Sequence, residues 1–405
     1  ADMAAVAESA GTTASDNSYS STNIQVEGID EADVVKTDGK YIYIAGNNVV
    51  RIVGARDGKL SDETTIRLAS NKNVREIYAA DDRLVILGTR WEDDRIFTKA
   101  LPEPASDSSA VGVVYPYRPS KNYSFIDVYD ISDPLHAVFI KGHEMEGSYQ
   151  SSRKSGEIVY LVTNMYPYGD IILPMMKDTV VSNSGFQLKL DDVMIMPRYP
   201  SKGYLVISAV NISNEEKTEV EAITAYGAIM YMNETSLYLA VNEWNDATSI
   251  IKFNLEGMKV GYAGSGEVKG SLLNQFSMDE YQGNLRVATT TRDQGNGLYV
   301  LDKSLNTTGS VEGLAKGETI YSVRFMEDKG YIVTFRTMDP LFVFDISDPE
   351  KPVVTGELKI PGFSNYLHPV EKDILLGIGA DTYETFRKDN SGKDVVIGVR
   401  QGGIK

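Results

Sequence analysis

The strongest constraint in this sequence is a unit that keeps returning. Its clearest copy spans residues 317–360, where apolar runs at 320–325, 331–335 and 341–344 are followed by an alternating run at 353–360. Polar breaks separate them: Glu327-Asp328-Lys329-Gly330, then Met338-Asp339-Pro340, then the turn DISDP at 345–349. Val, Ile, Phe and Tyr at period two, bounded by Gly, Pro and Asp, predict four short antiparallel strands. The exit of the third strand recurs at Asp130, Asn211, Asn254, Asp302 and Asp345, at spacings of 81, 43, 48 and 43 residues. The first hairpin turn repeats in phase at Asp38-Gly39, Asp81-Asp82, Ser155-Gly156, Asn233-Glu234, Gln282-Gly283, Asp328-Lys329 and Glu371-Lys372.

A four-stranded meander with two apolar faces cannot stand alone in water, so each unit needs a neighbour on both sides. Repeats of roughly 40–50 residues with this content stack radially as the blades of a β-propeller. The predicted fold is therefore all-β, a propeller of four-stranded antiparallel blades. Seven are visible and the seventh is incomplete; eight blades in a full-length protein is the alternative. The length of 405 residues alone suggests more than one domain, but the period runs through 22–405 and argues for one. A third strand of blade seven is expected to begin only at Ile404-Lys405. Residues 1–21, small and polar, read as a disordered linker and as a mature terminus left after an export or lipid-anchor signal was removed.

Composition narrows the partners. A formal charge of −17 opposes binding to phosphate backbones or anionic membrane surfaces, and no Lys/Arg cluster with interleaved aromatics reverses that. No apolar run reaches the ~18 residues that span a bilayer. With no cysteine, disulfides, thiolate catalysis and Cys-held metals are excluded together.

Two insertions, 89–122 and 164–202, fall between second and third strands of blades two and three. Such loops emerge on one face, so the two are expected to build one raised wall. Trp91, Tyr115, Tyr117, Tyr166, Tyr168, Tyr199 and Tyr204 stand there among prolines and sparse charges. Rigid aromatics give contact area at low entropic cost, which suits a recognition surface; the alternative is that they pack on each other to hold the loops.

The strings TNIQVEGIDEADVVKTDGKYIYI (22–44), SLLNQFSMDEYQGNLRVATTT (271–291) and the stretch 298–370 resemble the secreted bacterial and archaeal proteins with a C-terminal β-propeller domain. The resemblance implies a propeller fold, export, a cell-surface or lipid-anchored location and no established enzymatic activity. It also implies further strands beyond GGIK.

Among chemistry-bearing residues, His136 and His143 are separated by an odd number along one strand and point to opposite faces. His368, in NYLHPV, is placed on an innermost strand near the axis and is the best candidate at a central channel. HExxH, GxSxG and P-loop patterns are missing from the sequence. Acidic loops at Asp93-Asp94, Asp191-Asp192, 292–296 and 389–394 offer oxygen donors for Ca2+, though turns use the same residues for themselves. Asn122, Asn211, Asn233 and Asn306 are N-x-S/T acceptors, hence glycosylation candidates. The expectation is an exported, non-catalytic propeller binding a protein or glycan at the cell surface through the insertion wall and His368. The alternatives are a propeller enzyme of lyase, hydrolase or quinoprotein type at the channel, and a subunit that self-associates through its last blade.

Overall fold

The computed structural model describes residues 24–56, 59–92, 121–167, 172–196, 201–243, 245–335, 339–360, 362–371, 374–388 and 394–404. Seven antiparallel sheets follow one another along the chain. Blade one is Val35–Thr37, Tyr41–Gly46, Val49–Arg56 and Lys59–Arg67. Blade two contains Lys72–Ala80, Arg83–Glu92, Lys121–Asp130 and Val138–Glu146; blade three contains Ser148–Ser155, Ile158–Met165, Tyr204–Asn211 and Glu219–Thr224. Blades four, five and six are four-stranded, spanning 229–269, 278–314 and 319–360. Blade seven is Phe363–Glu371, Ile374–Lys388 and Asp394–Ile404.

The core lies between sheets. One cluster joins Tyr43 and Ile52 of blade one to Ile77 and Phe125 of blade two, and another joins Val85 and Ile126 to Leu161 and Val210 of blade three. The pattern continues from three to four through Leu205 and Phe253, from four to five through Ile250 and Val287, and from five to six through Leu298 and Phe344. Tyr321 and Phe335 of blade six meet Phe363 of blade seven. Each sheet thus removes its neighbour's apolar face from water, which is the main favourable contribution to the fold.

A second device repeats with the period. A Cβ on Gly266, in the fourth strand of blade four, would lie 2.3 Å from the Leu305 carbonyl oxygen in a turn of blade five. One on Gly309, in the fourth strand of blade five, would lie 2.4 Å from the Pro349 oxygen in the equivalent turn of blade six. Those turns are rigid because the leading side chain caps them: Asp130, Asn211, Asp302 and Asp345 each accept the backbone N–H two residues on. The DISDP turns are structural in this way.

Four features depart from expectation. The third strand of blade seven is present as Asp394–Ile404, because Ile374–Lys388 runs long and turns back earlier than the apolar pattern indicated. Blades two and three each have six strands, since the second insertion and the N-terminal segment add to them. Insertion one is shorter than 89–122, because Trp91 is paired with Asn122 inside the sheet. Finally, Ile29–Asp30 pairs with Ser148–Ser155, the inner strand of blade three, a long-range pairing that the strand pattern does not indicate.

Among the described residues, the outer faces of the terminal sheets carry apolar side chains that stay in water. Val35 and Ile44, opposite each other in blade one, are exposed, and so are Val370, Ile374, Leu376 and Ile378 of blade seven.

Candidate functional site

The second insertion builds the most developed concavity. Its hairpin, Met175–Asp178 with Ser182–Gln187, adds to the outer edge of blade two through Met176 opposite Met145 and Asp178 opposite His143. The chain then makes a short turn, Leu190–Asp192, and the strand Val193–Met194 runs parallel to Glu219–Thr224 of blade three. The insertion is therefore laid over the rims of blades two and three. It is not simply a wall raised on one face.

Between the hairpin and the parallel strand lies a hollow of about 710 Å³, lined by Met176, Phe186, Leu188, Val193, Lys217 and Glu221 among others. Val181 and Phe186 of its lining are exposed, and so are Leu190 and Ile195, the chain neighbours of the lining residues Asp191 and Met194. Large apolar side chains grouped in the open are uncommon on a protein surface and mark contact sites. The floor is polar and fixed: Asp178 is buried and accepts the backbone N–H of Val180 and of Thr218. Beneath it His143 shares a 2.9 Å hydrogen bond between Nε2 and Ser208 Oγ. Burial, reinforced by the Lys141 charge and opposed by Asp178, pushes His143 down to about 4, so the ring is neutral at pH 7. Burial raises the Glu221 carboxyl.

Across the hairpin lies a charged pocket of about 580 Å³, lined by Lys72, Arg90, Lys121, Lys177, Glu144 and Met176. Lys72 lies 2.7 Å from Asp127 and 3.6 Å from Glu144; Arg90 donates to Glu144 at 2.9 Å. The Lys72 ammonium stands 4.2 Å from the Phe125 ring centroid and the Arg90 guanidinium 4.2 Å from that of Tyr123.

The sequence-predicted aromatics divide. Trp91 is exposed but strand-paired, and Tyr166 is exposed with its ring edge-on to Tyr226 at 5.3 Å. Tyr204 begins a strand and is buried in the cluster with Met145 and Met165, so its ring cannot meet a partner. Tyr115, Tyr117, Tyr168 and Tyr199 lie outside the described residues. Val181 and Phe186, which do line the hollow, carry only a weak sequence signal: apolar residues in a stretch too short for a blade.

At the axis the N-terminal segment meets the first strands. Gln25 Nε2 donates to the carbonyls of Gln275 and Met278, and Gln275 in turn donates to Glu31. Arg153 donates to Gln275 Oε1 at 2.8 Å, and Tyr149 donates to Glu76 at 2.6 Å. Glu31, Glu76, Tyr149, Arg153 and Gln275 line a cavity of about 260 Å³. His368, half-buried on the first strand of blade seven, has Nδ1 3.3 Å from the Tyr366 hydroxyl. His136 is exposed and paired with Asp133, well apart in environment from buried His143.

Among the described residues no group of three or more His, Asp or Glu side chains is placed to hold a metal. Of the proposed calcium loops, Asp93-Asp94 and 389–393 lie outside the described residues. Of the four glycosylation candidates, Asn306 is exposed and sits in a turn against Asp302, whereas Asn233 uses its amide in bonds to Glu280 and to the N–H groups of Thr235 and Ser236. Asn122 and Asn211 are half-buried strand residues.

The family model described as Beta propeller domain matches residues 19–401. The chain belongs to the β-propeller domain family. This propeller is 31% identical over 424 residues to a protein of Archaeoglobus fulgidus, an alignment covering 90% of this chain and 67% of the relative. It is 27% identical over 462 residues to a protein of Methanocaldococcus jannaschii, covering 90% and 65%. The chain thus spans about two thirds of the length of these relatives, both described as uncharacterized. Among solved structures, KlHsv2 with loop 6CD replaced by a Gly-Ser linker aligns at a TM-score of 0.40 and 10% identity, covering 93% of this propeller and 98% of that chain. Among the described residues no helix is long and apolar enough to cross a membrane.

Proposed function

We propose that this propeller is a non-catalytic binding module of the cell surface, and that it holds a protein segment in the hollow built by the second insertion. The observation that carries the reading is the 710 Å³ hollow with Val181 and Phe186 exposed in its lining. Apolar anchors around a concavity, with charge at its margin from Lys217, Asp191 and Glu221, favour a peptide with an apolar side chain flanked by polar groups. The edge strand Ser182–Gln187 adds backbone groups that an extended peptide can pair with.

Peptide display against the immobilised chain tests this. Enriched peptides are expected to lose at least tenfold in affinity on the double variant V181D/F186D, as expected for removing two apolar anchors. Enrichment of no peptide, or equal binding to the double variant, overturns the reading. Export is tested separately, by locating the tagged natural protein in fractionated cells; a cytoplasmic location removes the cell-surface part.

A second reading, assembly through the ends of the blade array, draws support from exposed Val35 and Ile44 on blade one and Leu376 and Ile378 on blade seven. Sedimentation across a concentration series tests it.

A further inference from the structure

Arg324 stands apart from the other arginines near the axis. It lies on the first strand of blade six, Thr319–Met326, and its Nε, like that of Arg286, is shut off from solvent with no hydrogen-bond partner. The neighbouring acids are engaged elsewhere: Glu31 accepts from Gln275 and lies 3.6 Å from Arg153, and Asp279 is paired with Arg286. Arg153 and Arg286 therefore have oxygen acceptors, while Arg324 has the Phe276 ring 5.8 Å from its Cζ and only the longer-range charges of Tyr366, Asp279 and Glu31.

A guanidinium carries five donors in a planar fork, and desolvating it without an acceptor costs far more than one unmade hydrogen bond. Burial accordingly pulls the Arg324 pKa below its ordinary value, and the charges of Asp279 and Glu31 only partly oppose that. The surroundings are built for an organic body. The rings of Phe276 and Tyr366 meet edge to face at 6.0 Å, and His368 shares its Nδ1 hydrogen bond with the Tyr366 hydroxyl.

We propose that the guanidinium of Arg324, flanked by Phe276, Tyr366 and His368, is an anion site at the propeller axis that takes the carboxylate of a small aromatic or aliphatic acid. A carboxylate matches the outward edge of the guanidinium fork in a bidentate pair. A dianionic phosphate is disfavoured, because Glu31 and Asp279 contribute like charge nearby. The site is separate from the hollow of the second insertion, so either can fail without the other.

Calorimetric titration of the 405-residue chain with benzoate, acetate and inorganic phosphate tests the proposal. Saturable benzoate binding is expected, with acetate weaker and phosphate weakest. R324M should lose tenfold or more in benzoate affinity, the scale of one charge-assisted pair. R324K should lose most of it despite keeping the charge, because the fork is gone. To cover the case in which R324M does not fold, the Nε–H signal of Arg324 in uniformly 15N-labelled wild type is followed by NMR. It should shift with benzoate and saturate at the same concentration. No saturable binding, tighter binding of phosphate, or a benzoate response that leaves Arg324 and R324M unaffected overturns the proposal.

Discussion

His143 shows how burial at a single residue becomes a pH dependence of the whole fold. Its folded-state pKa lies near 4 against an ordinary 6.5, so between those values the unfolded chain binds a proton that the folded chain refuses. Stability therefore falls as pH drops from about 6.5 towards 4, by roughly 3 kcal/mol at the lower end. His143→Gln keeps a group that can bond Ser208 and removes the titration; its denaturation midpoint should be nearly flat across that window where the wild type declines. Asp130, Asp302 and Asp345, held below the ordinary carboxylate range mainly by their turn hydrogen bonds, contribute only at lower pH, where their protonation releases the caps. Lys72 makes a second case. Lys72→Met strands the buried Asp127 carboxylate and should cost about 3 kcal/mol by chemical denaturation, most of it regained when Asp127→Asn is added. Neither residue announced itself in the sequence. A histidine at an odd offset and a lysine at the start of a strand look ordinary until pairing places His143 over Ser208 and Lys72 against Asp127.

At the scale of elements, the apolar hairpins were legible because period two and the turn residues are local signals. The strand exits at Asp130, Asn211, Asp302 and Asp345 fell where the turns are. What was not legible was long-range: the pairing of Ile29–Asp30 with blade three, and the hairpin of the second insertion joining blade two. Backbone hydrogen bonds to a distant strand leave no periodic trace. Tyr204 misled for a related reason, since a Tyr beside Pro and Gly reads as a loop residue although it opens a buried strand. Fourth-strand glycines give the sharpest prediction at this scale. Gly309→Ala forces a methyl group against the Pro349 carbonyl and the Pro352 ring, and should cost about 1–3 kcal/mol in the unfolding midpoint. Gly261→Ala, in the fourth strand of blade four with open space at its Cβ, serves as the control and should be near neutral.

At the scale of the molecule, the array hides apolar faces between successive blades, and among the described residues those of blades one and seven that face outward stay exposed. Their exposure predicts weak concentration-dependent self-association of the 405-residue chain, visible by analytical ultracentrifugation. L376K/I378K should abolish it with little change in the thermal midpoint, because about half of each side chain is already in water. The glycine sockets carry a further consequence for how such a ring can grow or be recombined. A sheet cut out at its own boundaries would leave its last strand without the knuckle that fits it. The piece that transplants cleanly is offset, running from one socket to the knuckle that enters the next, so the unit of duplication straddles two blades.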